Sequence, residues 1–250
     1  MKTLLVTATT LEVAPALREL FPGIGVSPGP GVPGTLIESG ELDCLVTGVG
    51  QLQCAARLAK LLAERRYGAA IQAGIAGSFT DSLPKRSVVV VAEEALADLG
   101  AESQEGFLDL FEMGLLAPDD HPFSAGRLVA PQLNLPSIEG LPRAKSVTVN
   151  RVLSQRESID WVVQRFQPQV VNMEGGAFFL CCGQAGLPCL SVRSISDRVG
   201  PRDKSSWDIP GAIAALNEVL LRSIPELQAW ASASSKKFVH LTTLPPPTRH

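Results

Sequence analysis

Three acidic residues stand among small or apolar neighbours, where a carboxylate is costly unless something pairs with it. Glu12 lies in ATTLEVAPAL, Glu174 in VVNMEGGAFFL and Asp197 in CLSVRSISDRVG. Singly, each has a local explanation. Glu12 reads as a first-turn acid favoured by the helix dipole. Glu174 reads as a helix-start residue beside Gly175 and Gly176, and Asp197 as an N-cap. Together they fall near strand-to-helix switches, where open α/β sheets bind ligands, and the trio points to carboxylate chemistry. The competing chemistries lack their residues. Of three histidines, at 121, 240 and 250, two lie in the C-terminal tail, so a Ser-His-Asp or Cys-His apparatus has at most His121. No cysteine spacing suits zinc. There is no Walker A lysine motif, and no GxGxxG follows the first strand. Neither a metal nor a cofactor is expected.

The elements that must carry these residues alternate in type. Short β-branched runs at 4–7, 69–73, 88–91, 145–149, 170–171 and 188–193 read as strands. Residues 35–39 and 43–47 read as a hairpin about Gly40. Helical spacing follows the first strand. It returns from about residue 50 (an apolar face of Leu52, Ala55, Ala56, Ala59, Leu62 and Ala63), after a capping box of Ser154 and Glu157, after Glu174, and over 211–224. The stretch FPGIGVSPGPGVPG at 21–34 is a loop. This order predicts a single α/β domain over 1–228, a mixed central sheet with helices on both faces. Residues 229–250 lack a period and carry three consecutive prolines, and are expected to be loosely ordered.

The composition excludes several classes. With 22 basic and 25 acidic residues in 250 the formal charge is −3, which gives no electrostatic case for nucleic acid or an anionic membrane. Apolar residues make up 45% and charged ones 19%, outside the disordered range. No run reaches the ~20 apolar residues of a membrane span. The N-terminus reads as strand then helix rather than as a signal peptide. Five cysteines in apolar surroundings read as reduced core thiols of a cytosolic protein.

Four blocks, GVGQLQCA (48–55), QAGIAGSF (72–79), VNMEGGAFF (171–179) and SVRSISDRVG (191–200), resemble the signatures of the purine nucleoside phosphorylase and nucleosidase superfamily. They come in the family's order and span residues 1 to about 220. MEG followed by ISD about twenty residues later is the specific element. Within the superfamily, VTATTLE, GIAGSF, ADLGAESQEGF and TVN look most like the futalosine hydrolases of an alternative menaquinone pathway. Methylthioadenosine nucleosidases and phosphorylases are the near alternatives, and relatives that have lost catalysis and only bind nucleosides are the non-enzyme one. The resemblance implies the three-layer nucleoside phosphorylase fold, a nucleoside substrate and a homo-oligomer. It implies cleavage of the N-glycosidic bond of futalosine, giving hypoxanthine and dehypoxanthine futalosine. Asp197 is then similar to the acid that protonates N7 of the purine. Glu12 is similar to the base that activates water, and Glu174, with Met173 beside the sugar, to the group that grips the ribose hydroxyls. Asn172, Ser196, Gly74, Ile75 and Asn150 complete the expected substrate contacts, with Gly48, Gly50 and residues 74–77 letting backbone amides approach the ligand.

Hydrolysis is favoured over phosphorolysis because residues 8–11 contain no Arg, Lys or Gly and lead into Glu12, whose charge repels phosphate. Arg18 is the one nearby cation, otherwise a solvated helix residue. Asn150, Arg151 and Arg198 are the candidate donors to a 6-oxo group. Arg202 and Lys204 are candidates for the aryl carboxylate of futalosine, unless RVGPRDKSS is only a solvated loop. Phe107, Phe111 and Met113 either line the 5′ pocket, across a dimer interface as the family's habits suggest, or pack in the core.

Overall fold

The N-terminal β-branched run forms β1 (Thr3–Thr7), buried along its whole length. It lies between two parallel neighbours, β3 (Leu42–Val46) and β4 (Ala69–Ser78). Strand β2 (Leu36–Ser39) pairs antiparallel with β3 about Gly40, as the hairpin spacing predicts. The computed structural model describes residues 1–103, 106–201 and 203–241.

Strand β4 is long enough to serve further partners. Its C-terminal end pairs antiparallel with β11 (Val170–Asn172), and its length pairs parallel with β12 (Cys189–Arg198). Strand β12 is antiparallel to β5 (Val88–Leu96), β5 parallel to β10 (Arg143–Thr148), and β10 parallel to β11. These five strands therefore close on one another within a larger mixed sheet. A separate hairpin is formed by β6 (Gly100–Ser103) and β7 (Gly106–Asp109). Strands β8 (Phe123–Ser124) and β9 (Arg127–Val129) extend the edge at β5.

Helices cover both faces of this sheet, giving the expected three-layer α/β architecture. Helix α1 (Thr10–Leu20) packs on α5 (Ile209–Leu241) over Leu17, Phe21, Leu216 and Leu220. Helix α2 (Gln51–Glu64) packs on α4 (Gly175–Gln184) around Cys54, Leu58, Phe178 and Cys182. Burial from both sides is why the central strands read as unbroken apolar runs. Helix α3 (Arg156–Phe166) closes a smaller core with Val147 and Leu153. All five cysteines are buried and free. No helix among the described residues is long and apolar enough to cross a membrane.

Four local expectations are corrected. Strand β4 continues through Gly74 and Gly77, beyond the 69–73 run that the sequence predicts; a glycine inside a strand marks a close approach by another group. Helix α2 buries Cys54, Leu58, Leu61 and Leu62, while Leu52 is 82% exposed. That stripe also has helical spacing, and its larger side chains bury more apolar area than the alanines of the alternative face. The N-cap of α3 is Gln155 rather than Ser154, which puts the expected capping box one residue out of register. Of the tail expected from 229, residues 242–250 lie outside the described residues, and helix α5 does not stop at 224. It runs to Leu241, because Leu227, Trp230 and Ala231 continue its apolar face onto the core shared with α1.

Leu227 tests this last difference, being fully buried in that core. Leu227→Ala is expected to lower unfolding stability by about 2–5 kcal/mol in urea denaturation. A change under about 0.5 kcal/mol, the size typical of surface sites, would mean that this part of α5 is not docked.

Candidate active site

Because β1 and β12 run parallel to β4 and β11 runs antiparallel to it, the segments after β1 and β11 and the end of β12 meet along the second half of β4. Glu12, Glu174 and Asp197 all line a single cleft of about 330 Å³, together with Met173, Ser196 and Ile75. Each carboxylate is set by its own local device.

Glu12 is the third residue of α1. Its Oε2 accepts from the Thr9 amide at 3.0 Å, the reciprocal half of a capping box, and from Thr9 Oγ1 at 2.9 Å. Among the described residues, its Oε1 accepts only the Ile75 amide, at 3.1 Å. A carboxylate oxygen has two lone pairs, so Oε1 keeps one for a further donor in the cleft. Both the local helix-start role and the cleft-facing role thus belong to one side chain.

Glu174 is the N-cap of α4, and its Oε1 accepts the Gly50 amide at 2.8 Å. The paired glycines after it are dictated by crowding: a Cβ on Gly175 would strike the Glu94 carboxylate, and one on Gly176 would strike Leu96. Burial raises the Glu174 pKa, with the Arg193 charge opposing and the nearby Glu12 charge adding to the rise.

Asp197 lies inside β12 and is not an N-cap. A bulge between the pairs Ile195–Ala76 and Asp197–Gly77 makes Ser196 the extra residue, and bulges of this kind re-aim side chains beside sites. Ser196 Oγ lies 2.6 Å from Asp197 Oδ1. Burial raises the Asp197 pKa and the serine hydrogen bond opposes that rise. The carboxyl is therefore biased toward keeping a proton.

Behind the cleft is a polar network centred on Arg193 and Glu94, two residues to which the sequence analysis assigns no role. Arg193 is 1% exposed, in a strand of apolar neighbours. Its Nη2 donates to Gln72 Oε1 at 2.7 Å and to Asn172 Oδ1 at 3.2 Å, and its Nη1 is 3.8 Å from Glu174 Oε2. A Cβ on Gly74 would lie 2.5 Å from Arg193 Nη1 and 2.9 Å from Glu12 Oε1. Gly74 is thus the gap through which Arg193 and the Glu12 carboxylate approach each other. Asn172 Oδ1 also accepts the amides of Glu174 and Gly175, at 2.9 and 2.6 Å. Its Nδ2 donates to both oxygens of Glu94 at 3.1 Å. Glu94 is fully buried, accepts Ser146 Oγ and Thr148 Oγ1 as well, and has its pKa pushed up by burial to about 7. The legible signal is charge without water: Arg193 within CLSVRSIS and Glu94 within VVVVAEEAL. Trp207, at the same cleft, carries no comparable signal in the sequence.

Other expected contacts fall elsewhere. Asn172 borders the cleft, but its amide is engaged by protein partners, so it orients the site. Asn150 does not line the cleft, because its side chain and amide are tied to Asp98 at 2.9 and 2.6 Å. The Gly50 and Ile75 amides hold the carboxylates of Glu174 and Glu12. Arg18 is exposed on α1, Arg151 lines a neighbouring cavity, and Arg198 lies 3.6 Å from Asp81 on the surface. Lys204 is exposed, and Arg202 lies outside the described residues. Phe107 packs on Trp161 and Phe111 on Phe123, and neither they nor Met113 line the cleft within this chain. His121 is exposed beside the Gly183 carbonyl.

The raised pKa of Glu94 sets a stability prediction. Between its ordinary value and about 7 the native state binds this proton while the unfolded chain releases it, so stability falls as pH rises through that window. The effect amounts to roughly 3 kcal/mol. Glu94→Gln is expected to flatten the dependence of the urea midpoint on pH between about 5 and 8. Equal slopes in the two proteins would show that Glu94 holds no such proton.

A model of the family described as the phosphorylase superfamily matches residues 2–225. The futalosine hydrolase of Streptomyces coelicolor is 29% identical over 238 residues, which cover 92% of this chain and 98% of the relative. That of Acidothermus cellulolyticus is 32% identical over 223 residues, covering 86% and 87%. Among solved structures, the 5′-methylthioadenosine/S-adenosylhomocysteine nucleosidase of Colwellia psychrerythraea, in complex with adenine, superposes with a TM-score of 0.69 at 19% identity, covering 91% of this chain and 96% of that one. The futalosine hydrolase of Helicobacter pylori gives 0.62 at 19% identity, covering 93% and 98%. At that identity the two structures establish likeness of fold.

Proposed function

This chain belongs to the phosphorylase superfamily and, within it, to the futalosine hydrolase family; from that premise we propose that it hydrolyses the N-glycosidic bond of futalosine, releasing hypoxanthine and dehypoxanthine futalosine. The observation that carries the reading at the level of the site is the meeting of Glu12, Glu174 and Asp197 in one cleft. Two of these suit opposite halves of a hydrolysis. Asp197, with its raised pKa, is the acid: its proton passes to N7 of the purine as the bond to the sugar breaks, so that the base leaves neutral. Glu12, with a free lone pair on Oε1, is the base: it takes a proton from the water that attacks the anomeric carbon as positive charge develops there. Glu174 accepts hydrogen bonds from the ribose 2′- and 3′-hydroxyls, and Met173 packs against the sugar. The survival of both acid and base argues against a relative that only binds.

Water as nucleophile is supported by the charge of the site. Its buried cation, Arg193, already faces Glu174 and stands close to Glu12. A phosphate would add a further anion to carboxylates that outnumber the arginine. None of the three candidate donors to the 6-oxo group lines the cleft, so that recognition falls to groups other than Asn150, Arg151 and Arg198. A cytoplasmic, oligomeric protein is part of the same proposal, with a partner subunit supplying the 5′ wall that Phe107 and Phe111 do not form within one chain.

Three outcomes are expected. Purified protein offered futalosine, methylthioadenosine and inosine should release base from futalosine at the same rate with and without phosphate, followed by chromatography. A sugar 1-phosphate product would reverse the assignment to hydrolysis, and preference for methylthioadenosine would move the chain to the nucleosidase branch. Glu12→Gln should bind substrate yet lose about 10²–10⁴-fold in turnover, since an amide cannot accept the proton from water. Asp197→Asn should lose at least ~10²-fold. That loss should shrink for a riboside whose leaving group needs no proton; equal losses on both substrates in a folded variant would remove Asp197 from the acid role.

A further inference from the structure

Asn217 is a lone amide in the apolar stretch AIAALNEVLL of α5, 3% exposed and facing α1. Its Oδ1 accepts the amide of Ala16 at 2.8 Å, and its Nδ2 donates to the carbonyl of Glu12 at 2.8 Å. The amide of residue 16 and the carbonyl of residue 12 are the two groups that an uninterrupted helix pairs with each other. Asn217 therefore reaches into the ladder of α1 and serves both. The cause of the opening is next to it: Pro15 stands inside α1, where it has no amide hydrogen and its ring crowds the carbonyl four residues back. The same Nδ2 donates to the carbonyl of Ile213 at 2.7 Å, and Ile213 lines the cleft. One side chain thus ties the backbone of Glu12 to the part of α5 that forms the cleft wall.

We propose that Asn217 is a positioning residue for Glu12, fixing the proline-opened turn of α1 so that Glu12 Oε1 stays in the cleft beside the Ile75 amide. The inference rests on the reading of Glu12 as the base. Without the amide, the Glu12 carbonyl and the Ala16 amide lose their buried partner, the turn relaxes, and the carboxylate moves with it. A displacement of about 1 Å in a reacting group can cost on the order of 10²-fold in rate.

The test is a double-mutant cycle on base release from futalosine, with wild type, Asn217→Leu, Glu12→Gln and the pair. Leu220→Ala, elsewhere in the core of α5, serves as a control for simple destabilisation and is expected to keep kcat. Asn217→Leu should lower kcat by about tenfold or more with KM held within about twofold, and should do nothing further in the Glu12→Gln background. An unchanged kcat, or the same loss in both backgrounds, would overturn the proposal and leave Asn217 as a staple between helices. Near-normal turnover by Glu12→Gln alone would instead sink the base assignment, a result separable from either. Where Asn217→Leu does not fold, Asn217→Ser, which leaves room for water at the two backbone groups, carries the same comparison.

Discussion

Arg193 places a full positive charge where there is almost no water, and much of the site follows from holding it there. A charge so buried survives only when paired and hydrogen-bonded. Gln72 and Asn172 supply acceptors and Glu174 the nearest opposite charge. Gly74 is a glycine because a side chain there would strike both Arg193 and Glu12. Asn172 is engaged because it must accept from the arginine while capping the start of α4, and Glu94 is buried because it holds Asn172 in turn. The cleft-lining carboxylates are thus the visible front of a network whose back is closed to solvent.

That arrangement also sets what each carboxyl in and behind the cleft feels. Glu174 and Glu94 feel both burial, which favours their neutral forms, and Arg193, which opposes it. Asp197 is raised by burial against only the opposition of the Ser196 hydroxyl, with no arginine among its causes. Asp197, raised by burial, and Glu12, held by amide and hydroxyl donors, thus sit in one cleft in different surroundings. A closed ring of strands supplies the stiffness, since β4, β11 and β12 carry or lead into the residues that must meet.

The sequence is informative where a pattern has a single physical cause. Apolar runs become buried strands, and the spacing of Gly40 between two runs becomes a hairpin. Carboxylates among small residues become the cleft, since a charge in such surroundings must be paired or put to use. The sequence is ambiguous where two causes give one pattern. The alanine-rich face of α2 has the same period as the stripe that is buried, and volume decides between them. The glycines of 74–77 suit a turn, yet they form a strand crossed by Arg193 and lined by Val199, Val171 and Asp197. Asn150 resembles a ligand because it follows a strand end, and its partner Asp98 is distant in sequence. Arg193 and Asn217 carry a signal in their apolar contexts, but some of their partners lie more than a hundred residues away, so spacing alone assigns no role.

On the proposed reading of the cleft, the Arg193 guanidinium fixes the geometry of its carboxylates, beyond merely contributing charge. Steady-state base release by Arg193→Lys tests it most directly. Lysine keeps the charge but has a single nitrogen, which cannot bond Gln72 and Asn172 as Nη2 does and also face Glu174 as Nη1 does. With a cooperative unfolding transition confirming the fold, turnover of futalosine is predicted to fall by about 10²-fold, as expected for displaced reacting groups. A folded Arg193→Lys protein that turned over at the wild-type rate would contradict the account.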